Sequence, residues 1–125
     1  MIAADTSSVV AYLAGGSGAD VALLDLALRD RQLCLPPVVL TELLSAPDLP
    51  KEVATRLLEL PILAVIEGYW QRAGALRARC LLAKRRARLG DALIAQSCVD
   101  HDLRLITRDR DFRVFARAAG LKVTA

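Results

Sequence analysis

Short apolar runs alternate along this chain with longer stretches in which apolar residues recur every three or four positions. Residues 2–4 read as a short buried strand. Asp5-Thr6-Ser7-Ser8 then offers helix-capping side chains, residues 9–13 a first helical turn or two, and Gly15-Gly16-Ser17-Gly18 ends it. Over 19–31, Val21, Leu24, Ala27 and Leu28 keep helical spacing, and 33–35 follow as a strand closed by Pro36-Pro37. Because proline suits a first helical turn, 37–46 reads as a helix carrying Glu42, stopped by Pro47. The pattern predicts a further helix over 51–60, a β-branched apolar strand over 62–66 and a long basic amphipathic helix over 69–88, broken by Gly90. Asp91 stands where an N-cap belongs, ahead of a mostly apolar helix over 92–99. A strand over 103–107 precedes Asp109, Asp111-Phe112 opens a short helix with Phe112 in the core, and 121–124 is a last strand.

Strands too apolar to own a solvated face, separated by helices, describe an α/β sandwich with a mainly parallel central sheet. Ligands in such folds bind beyond the carboxyl ends of the strands. The four carboxylates of Asp5, Glu42, Asp91 and Asp109 fall where they can converge on that edge, the first and last just after strands and the other two in first turns of helices that follow breakers. A single Asp between strand and helix is most often an N-cap; four at once change the odds. Crowded carboxylates repel one another and are tolerated chiefly when a cation neutralises them. Mg²⁺ or Mn²⁺ suits an all-oxygen donor set, and with one histidine in the chain, imidazole chemistry is a poor alternative. Such an ion activates water and stabilises a leaving alkoxide in phosphodiester hydrolysis. Ser7, Ser8 and Thr107 flank the same edge with hydroxyls that can hold water or phosphate, although capping explains them more cheaply. The remaining acids, Asp20 among them, read as solvated; Asp100 and Asp102 read as turn formers around a surface His101.

Composition narrows the picture without changing it. At 125 residues and 54% hydrophobic content the chain is expected to form a single domain over 1–125. Cys34, Cys80 and Cys98 form no Cys-x-x-Cys pair and suggest neither a disulfide framework nor a zinc knuckle, which fits a reducing cytoplasm. No apolar run approaches the length of a membrane span, and no basic segment leads into an apolar one at Met1-Ile2-Ala3-Ala4-Asp5, so a soluble, non-secreted protein is expected. Net charge is only +3, but Arg72, Arg77, Arg79, Lys84, Arg85, Arg86 and Arg88 form a positive stripe free of acids. Its end, Lys84-Arg85-Arg86-Ala87-Arg88, precedes Asp91 and could steer phosphates or simply complement a helix dipole. Tyr69 and Trp70 open the stripe, and packing onto the sheet is the expectation for both ahead of base stacking.

Four segments resemble the PIN-domain ribonucleases, especially the VapC-type toxins of prokaryotic toxin–antitoxin pairs: Ala3-Ala4-Asp5-Thr6-Ser7, Val39-Leu40-Thr41-Glu42-Leu43-Leu44, Gly90-Asp91-Ala92-Leu93-Ile94-Ala95, and Leu105-Ile106-Thr107-Arg108-Asp109-Arg110-Asp111-Phe112. Their order and spacing together span nearly the whole chain. The resemblance implies a three-layer α/β/α fold, Mg²⁺- or Mn²⁺-dependent cleavage of RNA, a homodimer and an antitoxin partner that covers the acidic pocket. Carried over by position, Asp5 and Asp91 are the metal ligands, Glu42 the third acid and Asp109 the fourth, with Asp111 competing for that last place. Two rival readings remain. A phosphoacceptor receiver domain shares the length and pattern, but its acidic pair after the first strand is missing here and Lys122 lies inside the last strand. A PIN-like module that binds RNA or protein without cutting has usually lost one acid, and here all four stand.

Overall fold

The computed structural model describes residues 1–124. Four short strands form one sheet: β1 (Ile2–Ala4), β2 (Leu33–Cys34), β3 (Leu105–Ile106) and β4 (Val123–Thr124), in the order β2-β1-β3-β4 and parallel throughout. Seven α-helices connect and cover it: α1 (Thr6–Leu13), α2 (Ala19–Arg29), α3 (Pro37–Leu44), α4 (Lys51–Leu58), α5 (Tyr69–Leu82), α6 (Leu89–Asp100) and α7 (Arg113–Ala119). The result is a three-layer α/β/α sandwich, its parallel sheet the one that strand composition predicts and its layering the one that the resemblance implies.

Strand order decides where a site can form. The chain leaves β1 toward β2 on one side, then crosses over β1 to β3 and continues outward to β4. Connections therefore diverge between β1 and β3, and a crevice opens beyond their carboxyl ends. Pairing of Ala3 with Leu105 and Ala4 with Ile106 sets Asp5 beside Thr107 at that crevice. Small Ala3 and Ala4, both fully buried, let helices close on the central strand. Helix α6 is buried at Ala92, Ile94, Ala95, Gln96, Ser97 and Cys98 and packs on α3, α5 and α7, so its first turn is rigidly placed.

Three expected elements differ. The apolar run 62–66 forms no strand and only a single parallel bridge, Leu35 to Ile62, because it runs along the sheet's outer edge beyond β2 and is exposed at Ile62, Val65 and Ile66. The basic helix stops at Leu82 rather than reaching 88: Lys84 takes a left-handed φ of 56°, which an α-helix cannot continue through. Gly90 breaks nothing, being the second residue of α6.

Candidate metal centre

Asp5 leaves β1 in extended conformation and caps α1, which points its carboxylate into the crevice. Oδ1 accepts from the Ser7 hydroxyl at 2.7 Å and the Ser8 amide at 3.3 Å, and Oδ2 accepts from the Thr107 hydroxyl at 2.8 Å. Burial pushes the Asp5 pKa up, those three donors pull it down, and the charge of Asp109 raises it further. Ser7 and Thr107 thus serve the acid directly, their hydroxyls 3.5 Å apart. Thr107 Oγ1 also accepts from the Asp109 amide at 3.0 Å, so one buried threonine fixes two acidic residues.

Asp91 is not the N-cap of its helix. Arg88 holds that position in extended conformation, and Asp91 is the third helical residue. No described group bonds its buried Oδ2. Burial first, then the charge of Asp109, with smaller contributions from Asp5 and Glu42, push its pKa up to about 6, while Arg88 opposes them. Glu42 lies in the second turn of α3 rather than the first, exposed, with Oε1 accepting from Thr6 at 2.7 Å. Thr6, one residue beyond the first acid, escapes notice in the sequence because capping accounts for it.

Asp109 caps a 3₁₀ turn over Arg110–Phe112, its Oδ1 accepting from the Asp111 amide at 2.9 Å. This turn folds both candidates for the fourth place toward α6: one carboxylate oxygen each from Asp91, Asp109 and Asp111 lie within 4.8 Å of one another. Asp5 and Glu42 stand outside that tight set, yet their charges reach Asp91. A buried carboxylate oxygen without a donor, among oxygen ligands and with neither thiolate nor imidazole in the acidic set, fits a hard divalent cation and offers nothing to a thiophilic one.

Elsewhere two acids depart from their expected roles, Asp20 from a solvated face and Asp100 from a turn former. Asp20 is buried and takes a forked hydrogen bond from Arg108, which holds its carboxyl down at about 2. Asp100 accepts from both Arg72 Nε and Nη2, at 2.9 and 2.7 Å, and from Gln96. Each depends on an arginine far away in sequence, which no local pattern signals. His101 is half-buried, its Nε2 2.8 Å from the Ala64 carbonyl oxygen. Tyr69 packs inward, donating to the Leu93 carbonyl at 2.6 Å, but Trp70 is 63% exposed, since the next residue on a helix turns about 100° away. Lys84, Arg85 and Arg86 are exposed on the link into α6, with no ion pair among the described residues, and Arg88 adjoins the acids closely enough to influence Asp91.

No helix of the described residues is long and apolar enough to cross a membrane. Solved structures similar to this chain include the VapBC2 complex of Rickettsia felis bound to a promoter DNA fragment (20% identity, 99% of this chain and 98% of that one, TM-score 0.74). FitAcB of Neisseria gonorrhoeae (20% identity, 100% and 97%, TM-score 0.71) and VapBC-5 of Mycobacterium tuberculosis (21% identity, 98% and 95%, TM-score 0.67) are also similar. At these identities the likeness is one of fold. No curated protein is similar enough in sequence to match. The PIN domain family model matches residues 2–118, and with that match spanning the sheet, its crevice and every acid gathered there, the chain belongs to the PIN domain family.

Proposed function

We propose that this protein is an endoribonuclease dependent on Mg²⁺ or Mn²⁺, and the toxin of a type II toxin–antitoxin pair. The observation that carries the reading is Asp91: a carboxylate with a buried, unbonded oxygen, held near pKa 6 among four other acids, is incomplete without a cation. Asp91 and Asp5 would hold the ion, with Asp109, Asp111 and Glu42 as further oxygen donors. When bound, such an ion supplies a more acidic water and charge stabilisation for the leaving alkoxide. The chain's own residues do the rest. Ser7 and Thr107 orient Asp5, Thr6 fixes Glu42, and Arg88 contributes positive charge where phosphate approaches. The resemblance to VapC-type toxins supports RNA as the substrate.

Toxin–antitoxin complexes among the similar folds support an antitoxin partner, and the free, buried Cys34, Cys80 and Cys98 suit the reducing cytoplasm in which the pair would act. An apolar groove of about 800 Å³ between α1, α2 and α4, walled by Tyr12, Leu13, Leu28, Leu57 and Leu60, offers such a partner a surface. Exposed Val65, Ile66 and Trp70 are available to a second copy in a homodimer. The test uses purified protein freed of any antitoxin, a broad panel of RNAs and Mn²⁺. Cleavage by the wild type, lost in Asp91→Asn with the fold retained, is the expected result; RNAs bound but left intact would overturn the reading.

A further inference from the structure

Two adjacent residues on each of two segments divide their side chains between two aspartates. Ser7 and Thr107 donate to Asp5, while their neighbours Ser8 and Arg108 donate to Asp20: Ser8 Oγ to Oδ2 at 2.8 Å, Arg108 Nε to Oδ2 at 2.7 Å and Nη2 to Oδ1 at 3.0 Å. Arg108 Nη2 also reaches the Ser17 carbonyl at 2.9 Å. Gly18 makes room, with a φ of 137° and a position where a Cβ would lie 2.8 Å from Asp20 Oδ1 and 3.3 Å from Arg108 Nη2. The buried Asp20 therefore ties the start of α1, the start of α2 and the exit of β3 together from behind the acidic crevice.

We infer that Asp20 and Arg108 are positioning residues for the acidic site, holding Thr107 and Asp109 in the register that places their groups on Asp5 and beside Asp91. Stability alone is a weak reason for the pair. Its arginine side chain is 40% exposed, where ion pairs contribute little, and a buried carboxylate is commonly outperformed by an apolar residue of its size. A planar two-pronged contact instead fixes orientation, as lysine cannot. Ser8 and Arg108 sit one residue from the groups that touch Asp5, so a small rotation of either segment moves a donor off that carboxylate.

The inference rests on the metal reading for one of its two measurements and stands apart from it in the other. In metal-free protein, amide exchange at Asp109 and Asp111 reports whether the Thr107–Asp109 turn stays formed; Arg108→Met should speed it, and Arg108→Lys should as well. Mn²⁺ titrated into each folded variant should bind about tenfold more weakly than to wild type, the loss usual when a supporting residue behind a ligand is removed. Charge alone predicts the opposite sign, because Arg108→Met deletes a cation near the acids; Arg110→Met, an equal charge change in the same turn, should not weaken Mn²⁺ binding. If Arg108→Met fails to fold, Arg108→Lys, which keeps a cation for Asp20, decides. Wild-type exchange and wild-type Mn²⁺ affinity in a folded Arg108 variant would overturn the inference. Should the wild type itself take up no Mn²⁺, the metal reading fails and exchange alone decides the positioning role.

Discussion

Two aspartates in this fold, Asp20 buried and Asp91 half-buried, have been pushed in opposite directions. Asp20 is held down at about 2 by an arginine fork and a serine hydroxyl, and Asp91 is driven up to about 6 by burial and neighbouring acids, with one oxygen unbonded. Both carboxylates stand near the same sheet edge in a chain with ample arginine. The difference is that the chain supplies Asp20 with its own counter-charge and leaves Asp91 in need of one from outside. Buried charge is expensive to leave uncompensated, so the second arrangement is the mark of a site and the first of a support.

The widest break in that contrast comes from neutralising Asp91. Asp91→Asn should lower RNA cleavage by about a thousandfold, on the order of 4 kcal/mol, since a proposed metal ligand is lost with little change in volume. The same substitution should stabilise the metal-free protein at neutral pH. A carboxyl whose pKa rises on folding favours the folded state below its unfolded value of 3.8, and that contribution disappears as pH rises through about 6. The gap between 3.8 and about 6 corresponds to at most about 3 kcal/mol. Thermal melts from pH 3.5 to pH 7.5 should therefore show wild type losing ground to Asp91→Asn mainly between pH 4 and pH 6. Parallel curves would mean that Asp91 is not strained.

Metal should remove the strain from the other side. Mn²⁺ at a hundred times its dissociation constant should stabilise wild type by about 2.7 kcal/mol, read as a rise in melting temperature, and leave Asp91→Asn nearly unmoved. Asp20 should respond in the opposite sense. Its depressed pKa gives stability that is present above about pH 4 and lost as pH falls through about 2. Asp20→Asn should cost about 1–3 kcal/mol at pH 7 and flatten the acid limb of the unfolding profile. If Asp20→Asn instead raised the melting temperature, the contrast between support and site would collapse.

How much of this was legible depends on whether the cause is local. Asp5 and Asp109 follow apolar strands, and a parallel sheet sends every strand end to one edge, so their meeting is written in the strand–acid spacing. Asp91 at the head of an apolar helix belongs to the same logic, although the helix starts three residues earlier than a cap at that position requires and runs through Gly90. Asp20 and Asp100 were illegible because their partners, Arg108 and Arg72, are 88 and 28 residues away and meet them only in the folded chain. The run 62–66 has strand composition but lies beyond β2 where only one bridge forms, and periodicity cannot see a sheet edge. Trp70 follows the same rule, its exposure set by which face of α5 meets α6.

The finest division lies inside the acidic cluster, between Asp109 and Asp111. Both bring an oxygen to Asp91, but their environments differ: Asp109 spends Oδ1 on the Asp111 amide, and its charge acts on both Asp91 and Asp5, whereas Asp111 is absent from the charges that move either. Asparagine caps turns nearly as well as aspartate, so Asp109→Asn keeps the 3₁₀ turn while removing the charge. That variant should lower the pKa of Asp91, followed by carbonyl-carbon NMR in metal-free protein, and weaken Mn²⁺ binding about tenfold. Asp111→Asn should leave the Asp91 titration in place and weaken Mn²⁺ less. Equal losses from the two would mean that the ion sits among Asp91, Asp109 and Asp111 and away from Asp5; a larger loss from Asp109 would draw it toward the β1–β3 crevice, where Thr107 joins Asp5 to Asp109.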